Sequence, residues 1–154
     1  MASSIYDKLR SGITTASAEE TEAIACELAG ALPPDVTLAL HGDLGVGKTT
    51  LVRGLALGLE ITSAVTSPTF SIYSIYHGRR TLVHLDAYRL ETPQEIEDLL
   101  LEDFLTTPYV LAIEWPEKIT SWIPNHAIHL DLGIAPDERH TIRMRPLEIS
   151  LAKW

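Results

Sequence analysis

The sequence predicts a single α/β domain over residues 1–154, with a mixed, largely parallel sheet between two layers of helices. Short apolar runs alternate along the chain with segments of helical periodicity, as such a fold requires. The glycine-rich segment Gly42–Thr50, GDLGVGKTT, separates one such run from one such segment. The run Tyr109–Ile113 is continuously apolar, which is typical of a strand buried on both faces. The sequence has no repeats, low-complexity tracts or linkers, so we expect one domain.

Composition narrows the class of protein. The 154 residues are enough for one sizeable core, and 45% of them are hydrophobic, an ordinary value for a globular protein. The net charge of −9 argues against long-range steering onto a polyanion, so we expect any nucleic acid to be held by a partner. A single cysteine, Cys26, excludes an internal disulfide. Residues 1–12 lack an apolar signal core and no run is long enough to cross a membrane, which favours a cytoplasmic protein.

The first half of the chain predicts a helix, a strand, a loop and a second helix, in that order. Ser17 and Glu20 match a capping box, and the helix that they open should end at Pro33-Pro34. Val36–His41 is a short apolar run that predicts a strand. After the glycine-rich segment, Leu51, Val52, Leu55 and Leu59 recur at helical spacing and predict a helix from Lys48 to about Leu59.

The second half adds two hairpins and a further helix. Residues 71–76 and 81–86 predict a β-hairpin, and residues 126–131 and 140–145 predict another with its turn near Ala135–Asp137. Thr92-Pro93-Gln94-Glu95 predicts a capped helix start. We expect that helix to bury Ile96, Leu99, Leu100 and Phe104, and its acidic outer side to be a solvated face rather than a docking surface.

The glycine-rich segment fits the phosphate-binding loop pattern, with Gly42, Gly47, Lys48 and Thr49 at the fixed positions. Backbone N–H groups must curl around a phosphate, and glycines tolerate that close, partly left-handed path. Lys48 would reach the β- and γ-phosphates, the Thr49 hydroxyl would bind Mg²⁺, and the helix N-terminus would face the anion. A chance glycine-rich turn is the alternative, but the strand before the loop and the helix after it argue against one. The fold class is therefore a three-layer P-loop NTPase domain.

Two acids stand at the ends of apolar strands. Asp86 follows Leu82–Leu85, and Glu114 follows Val110–Ile113. Hydrolysis needs a carboxylate that holds Mg²⁺ and a group that orients water, and both belong at the carboxyl ends of parallel strands. Either acid could instead be a helix cap or a salt-bridge partner. Burying a carboxylate without a cation is costly, which favours a metal-facing role, particularly for Glu114. Spacing does not decide which acid contacts the metal.

Other polar and aromatic residues give weaker signals. His84 and His41 are interpreted as structural, and Trp115 and Trp122 as core anchors. Arg89 could pair with Asp86 or a neighbouring acid, or sense phosphate. Thr69 lies in a link after the predicted P-loop helix, where γ-phosphate-sensing switches commonly fall.

Four blocks together resemble the TsaE (YjeE) family of P-loop ATPases of bacterial tRNA modification. They are GDLGVGKTT at Gly42–Thr50, SPTF at Ser67–Phe70, HLDAYRL at His84–Leu90 and EWPE at Glu114–Glu117. The loop is common to many NTPases, whereas the other three blocks are far more specific. The resemblance extends from the helix at Thr21 to the hairpin at Arg139, with Val46 in place of a common alanine.

The resemblance implies a weak Mg²⁺-dependent ATPase that acts with the TsaD and TsaB proteins to make threonylcarbamoyladenosine on the tRNA adenosine next to the anticodon. By position it implies Lys48, Asp86 and Glu114 as catalytic residues, with Thr49, Asp86 and Glu114 at the metal. It implies that Thr69 belongs to a switch-like segment and that the base lies near Ala16–Thr21. The implied nucleotide-binding residues are Asp43, Leu44, Gly45, Val46, Gly47, Lys48, Thr49, Thr50, Trp115, Glu117 and Arg139.

Three other functions are compatible with these motifs. A small-molecule kinase usually needs an arginine-rich lid, whereas Arg79-Arg80 is the only paired arginine cluster in the sequence. A GTP-dependent switch is disfavoured because no Asn-Lys-x-Asp sequence occurs. A non-catalytic, nucleotide-dependent interaction module would need the loop but not Glu114.

Overall fold

The computed structural model describes residues 4–66 and 72–146. Its regular elements are, in chain order, α1 Ile5–Ser11, β1 Ile13–Thr15, α2 Ala18–Ala29, β2 Val36–His41, α3 Lys48–Gly58, β3 Tyr73–His77, β4 Thr81–Asp86, α4 Pro93–Asp98, a 3₁₀ helix at Leu101–Phe104, β5 Tyr109–Glu114, a second 3₁₀ helix at Pro116–Trp122, β6 Ile128–Ile134 and β7 His140–Met144.

All seven described strands form one mixed sheet in the order β1-β7-β6-β2-β5-β4-β3. Strands β6, β2, β5 and β4 pair in parallel, while β3 and β7 run against their neighbours. Strand β1 is antiparallel to β7 and therefore runs with the parallel set, which gives five of the seven strands one direction. The predicted mixed, largely parallel sheet with two hairpins is confirmed.

Each face of the sheet carries its own hydrophobic cluster, so the three predicted layers are present. Strand β5 shows the division, because its consecutive side chains point to opposite faces. Val110 and Ala112 pack with α1, α2 and α3, whereas Leu111 and Ile113 pack with α4 and the 3₁₀ helices. All four are at most 2% exposed, which confirms the prediction of a strand buried on both faces.

Helices α2 and α3 pack closely because glycines line their contact. A Cβ on Gly54 would lie 2.5 Å from the Ala25 Cβ, and one on Gly58 would lie 2.7 Å from the Ala29 Cβ. The helix α3 ends at Gly58, one residue before the predicted end near Leu59. This packing fixes the helix that follows the glycine-rich loop against the rest of the domain.

The first helix predicted from the sequence is in fact the second. Two short elements precede it: α1 has seven residues, of which Ile5 and Leu9 are buried, and β1 has three. Neither is long enough to show a clear periodicity. Every helix within residues 4–66 and 72–146 is too short or too polar to span a lipid bilayer.

The helix that begins after Thr92 is shorter than predicted. Thr92 caps it and Pro93 occupies its first turn, as expected, but α4 ends at Asp98. Leu100 adopts a left-handed conformation with φ 53°, and this breaks the helical phase. Leu101 therefore becomes the buried residue, whereas Leu100 and Phe104 are 59% and 38% exposed, so their predicted burial is wrong.

Candidate functional site

A cavity of about 580 Å³ lies at the carboxyl ends of β2, β4 and β5, beside the N-terminus of α3. This is the edge at which open α/β sheets bind ligands. The cavity is lined by Leu44, Gly45, Gly47, Lys48, Thr49, Thr50, Asp86, Tyr88, Arg89, Glu114 and Trp115. The glycine-rich loop and both predicted acids therefore meet in one place.

The loop follows a path that needs glycine. Gly42, Gly45 and Gly47 have φ values of 144°, 84° and 101°. A Cβ on Gly42 would lie 2.5 Å from the Leu132 carbonyl oxygen, so a side chain there would clash with backbone. Gly47 precedes the first turn of α3 and has no side chain to cap it. The N–H groups of that turn are therefore suited to an anionic ligand.

Lys48 is largely buried at the base of the cavity, with 4% of its surface exposed. Its Nζ donates a 2.7 Å hydrogen bond to the Gly42 carbonyl and lies 3.7 Å from the centroid of the Trp115 ring. Burial lowers the pKa of Lys48, and the carboxylates of Glu114, Glu117, Asp86 and Asp43 oppose that shift. The ammonium is thus poorly solvated and available to an anion that enters the cavity.

Asp86 and Glu114 are register partners on the adjacent parallel strands β4 and β5. Glu114 is 5% exposed, and its Oε2 accepts a 3.3 Å hydrogen bond from Thr49 Oγ1. The same Oε2 lies 2.5 Å from His84 Nε2. Asp86 is only partly buried, and its Oδ1 accepts the backbone N–H of Tyr88 at 3.0 Å. The predicted metal-binding set of Thr49, Asp86 and Glu114 is therefore assembled in one cavity.

This donor set fits Mg²⁺. The ion prefers oxygen ligands, and in nucleotide sites it is held by one or two carboxylates together with phosphates and water. The Thr49–Glu114 contact supplies a hydroxyl and a carboxylate at the start of α3. Among residues 4–66 and 72–146, no group of three or more His, Cys, Asp or Glu forms a complete metal cage. Such a site would complete its coordination from the substrate.

Aromatic side chains form one wall of the cavity. Trp115 has a left-handed backbone, with φ 58°, and its ring packs against Tyr88 with a centroid distance of 5.1 Å. Tyr88 is 57% exposed at the rim. Trp122 instead packs against the hydrophobic cluster under α4, as a core anchor would.

Some predicted nucleotide-binding residues do not line the cavity. The Glu117 carboxylate lies 4.0 Å from His41 Nδ1 in an adjacent groove, although it is close enough to influence Lys48. The Arg139 guanidinium lies 3.6 Å from Asp137 on an exposed turn. Within the loop, Asp43 and Val46 also fall outside the lining, and Val46 is buried.

The expected base-binding segment and the expected switch cannot be assigned to the cavity. Residues 16–21 do not line it. Thr69 and the SPTF block, 67–70, lie outside the described residues. Arg89 does line the cavity, a position compatible with the predicted role of sensing phosphate.

The sequence did not reveal two histidines that contact the site. His84 is fully buried against Glu114, and His140 Nδ1 lies 2.9 Å from the Val46 carbonyl oxygen of the loop. His84 and Asp86 are two residues apart on one strand, so they share a face, and that was the available signal for His84. No local pattern links His140 to the loop, because 94 residues separate it from Val46.

The adjacent groove contains a histidine pair. His41 Nε2 and His129 Nδ1 are 2.8 Å apart, and the two rings are stacked at 5.0 Å. Burial lowers the pKa of both residues, and the nearby Arg145 guanidinium adds to the effect. Because His41 immediately precedes Gly42, this pair supports the strand end from which the loop departs.

Comparison with known proteins gives one consistent result. A family model for threonylcarbamoyl adenosine biosynthesis protein TsaE matches residues 15–142. The tRNA threonylcarbamoyladenosine biosynthesis protein TsaE of Treponema pallidum is 36% identical over 126 residues, which cover 82% of this chain and 93% of the relative. The protein of that name from Bacillus subtilis is 40% identical over 129 residues, covering 83% and 80%. A crystal structure of Bacillus subtilis YdiB has a TM-score of 0.70 and 34% identity, covering 85% and 81% of the two chains.

Proposed function

This chain belongs to the family of threonylcarbamoyl adenosine biosynthesis protein TsaE, and from that premise we propose that it is an ATPase subunit needed to make threonylcarbamoyladenosine on tRNA. The names of its relatives support the pathway. The observation that carries the catalytic part is the meeting of Lys48, Thr49 and Glu114 in one cavity at the start of α3. That arrangement suits a nucleoside triphosphate and its metal ion.

The loop and Lys48 would bind the phosphates. Backbone N–H groups around Gly45 and Gly47 can approach phosphate oxygens closely because neither residue carries a Cβ. An entering phosphate would replace the Gly42 carbonyl as the partner of Lys48 Nζ. Since the ammonium is already desolvated, its attraction to the phosphate would be only weakly screened.

Thr49 and Glu114 would hold Mg²⁺, and the less buried Asp86 would orient the attacking water. When bound, the ion would neutralise charge on the β- and γ-phosphates. Lys48 would stabilise the charge that develops on the γ-phosphoryl group, with Arg89 as a second cation in the cavity. The products of the transfer to water would be ADP and inorganic phosphate.

We further propose that turnover serves a complex with TsaD and TsaB. A chain with a net charge of −9 is poorly suited to bind tRNA directly, so the partners would hold the RNA. The cavity opens beside two exposed side chains, Leu44 and Tyr88, which are 87% and 57% exposed. Contacts by a partner at this rim could therefore couple binding to nucleotide turnover.

The decisive experiment measures phosphate release by the full chain alone, and then with TsaD, TsaB and tRNA. We expect weak Mg²⁺-dependent hydrolysis of ATP alone and stimulation on mixing. Lys48→Ala should lose nucleotide affinity, whereas Glu114→Ala should lose turnover and retain some ATP binding. Glu102→Ala, an exposed acid outside the cavity, is the matched control and should behave as wild type.

Three results would count against the proposal. Transfer of label from γ-labelled ATP to a metabolite would indicate a small-molecule kinase. Preferential displacement of a fluorescent nucleotide by GTP would remove the claim for ATP. Full stimulation of the partners by Glu114→Ala would indicate a non-catalytic interaction module.

A further inference from the structure

His84 is a fully buried polar residue on β4, and its contact with Glu114 connects β4 to β5. Its register partner on β5 is Ala112, and Glu114 lies two residues further along the same face. With strands about 4.8 Å apart and about 3.3 Å between residues, the His84 and Glu114 backbones are roughly 8 Å apart. The small Ala112 side chain leaves room for the imidazole to lean across that diagonal.

The contact with Glu114 indicates which ring nitrogen of His84 carries the proton. His84 Nδ1 is buried with no hydrogen-bond partner in the described part of the chain. An N–H at that position would be a buried donor without an acceptor, which is the costlier arrangement. The tautomer with its proton on Nε2 avoids that and lets His84 donate to Glu114 Oε2.

Both hydrogen bonds described for the Glu114 carboxylate fall on Oε2. Thr49 Oγ1 donates from the start of α3 at 3.3 Å, and His84 Nε2 donates from β4 at 2.5 Å. A glutamate has three rotatable side-chain bonds, so two donors on one oxygen restrict it strongly. Within residues 4–66 and 72–146 no hydrogen bond falls on the second oxygen, Oε1, which is therefore available to a ligand in the cavity.

We propose that His84 is a positioning residue that fixes the Glu114 carboxylate for Mg²⁺ bound with the nucleotide. This inference rests on the proposed role of Glu114 at the metal. A single imidazole N–H suits the task, because it orients the carboxylate through Oε2 and leaves Oε1 to the cation. Partners of this kind typically account for about 10- to 100-fold in metal affinity when they are removed.

The test follows the Mg²⁺ dependence of nucleotide binding, which is independent of turnover. A fluorescent ATP analogue is titrated onto the full chain at a series of Mg²⁺ concentrations. His84→Leu should raise the half-saturating Mg²⁺ concentration about 10-fold or more, while binding of the nucleotide without Mg²⁺ stays at the wild-type level. His84→Gln, whose amide N–H can reach the position of Nε2, should restore most of the wild-type Mg²⁺ dependence.

Leu82→Val is the matched control, because Leu82 is fully buried on the same strand and the same face but does not line the cavity. It should lower thermal stability without changing the Mg²⁺ dependence. Should His84→Leu fail to fold, His84→Asn replaces it, since its shorter amide cannot reach Glu114. A normal Mg²⁺ dependence in folded His84→Leu or His84→Asn would overturn the inference.

Two further results separate this inference from the function on which it depends. Equal weakening of nucleotide binding with and without Mg²⁺ would make His84 a purely structural residue and overturn its positioning role. A wild-type chain whose nucleotide binding ignores Mg²⁺ altogether would instead overturn the proposed role of Glu114. In that case the Leu82→Val control would show the same Mg²⁺ independence.

Discussion

Replacing Lys48 by methionine should separate folding stability from ligand affinity. The substitution keeps an unbranched apolar stem but removes the buried ammonium and its 2.7 Å hydrogen bond to the Gly42 carbonyl. The lowered pKa of Lys48 means that desolvation outweighs the favourable contacts of the charged form. The folded chain therefore gains little from the charge. Gly42 is partly exposed, so water can satisfy its carbonyl in the variant.

The expected change in unfolding free energy is therefore small, within about 1 kcal/mol of wild type, as for substitutions that break no essential contact. The affinity for nucleotide should fall much further. A hydrogen bond to a charged group contributes about 1.5–3 kcal/mol. Losing one bond between Lys48 and phosphate then corresponds to a roughly 10- to 150-fold weaker complex.

Two measurements on the same samples check this prediction. Urea denaturation gives the unfolding free energy, and titration with a fluorescent ATP analogue gives the dissociation constant. Arg79→Met is a suitable control, because Arg79 lies in the β3–β4 turn and its guanidinium donates to the Gly58 carbonyl outside the cavity. Destabilisation of Lys48→Met by more than about 2 kcal/mol, with affinity intact, would show that the ammonium serves the fold and would refute the reasoning.

The remaining predictions concern stability. Burial holds the pKa of His41 and His129 below the usual value, so the unfolded chain takes up protons first as the pH falls. The contribution of the two neutral histidines to the unfolding free energy should be complete above about pH 6.5 and decline below it. Urea denaturation at a series of pH values should show a shallower decline of the unfolding free energy for His129→Gln than for wild type. Leu100→Gly should stabilise the chain by about 1 kcal/mol, because it relieves an exposed left-handed residue; a lower urea midpoint would contradict this. Gly54→Ala should destabilise by about 1–3 kcal/mol, since its Cβ would lie 2.5 Å from the Ala25 Cβ; an unchanged melting temperature would show that α2 moves freely away from α3.

The parts that the sequence predicts well are those set by local chemistry. The strand, glycine-rich loop and helix around Gly47 follow from periodicity and backbone requirements within about 25 residues. Glu114 is predictable because an acid directly after a buried apolar strand needs a partner. The cap at Thr92 is equally local. Each of these is confirmed as an element or as a position in the cavity.

The parts that the sequence predicts poorly depend on contacts across the fold. In the sequence His84 is not distinguished from other polar residues in strands, because its contact with Glu114 depends on the pairing of β4 with β5. His140 contacts the loop only because β7 pairs with β6, which pairs with β2. The end of α4 depends on one left-handed residue, Leu100. Leucine seldom adopts that conformation, so the sequence does not predict it. Glu117 lies three residues after Glu114 but faces a different groove.

The position of Glu114 depends on the register of β5 against β4. Strand β5 is apolar on both faces, so sliding it by one residue against β4 would still bury hydrophobic side chains but would move Glu114 to the wrong face. Hydrophobic patterning therefore specifies this register weakly. The polar contacts at both ends of β5 specify the register instead.

At the start of β5, the Asp35 carboxylate accepts the Tyr109 N–H at 3.1 Å, and the Arg80 guanidinium donates to the Tyr109 carbonyl at 2.9 Å. At its end, His84 engages Glu114. A slip of one residue would break all of these contacts and leave the buried Glu114 carboxylate without its partners, which costs several kcal/mol. The contact between His84 and Glu114 therefore serves the fold and the cavity together, because the same hydrogen bond that sets the register also brings the carboxylate to Thr49.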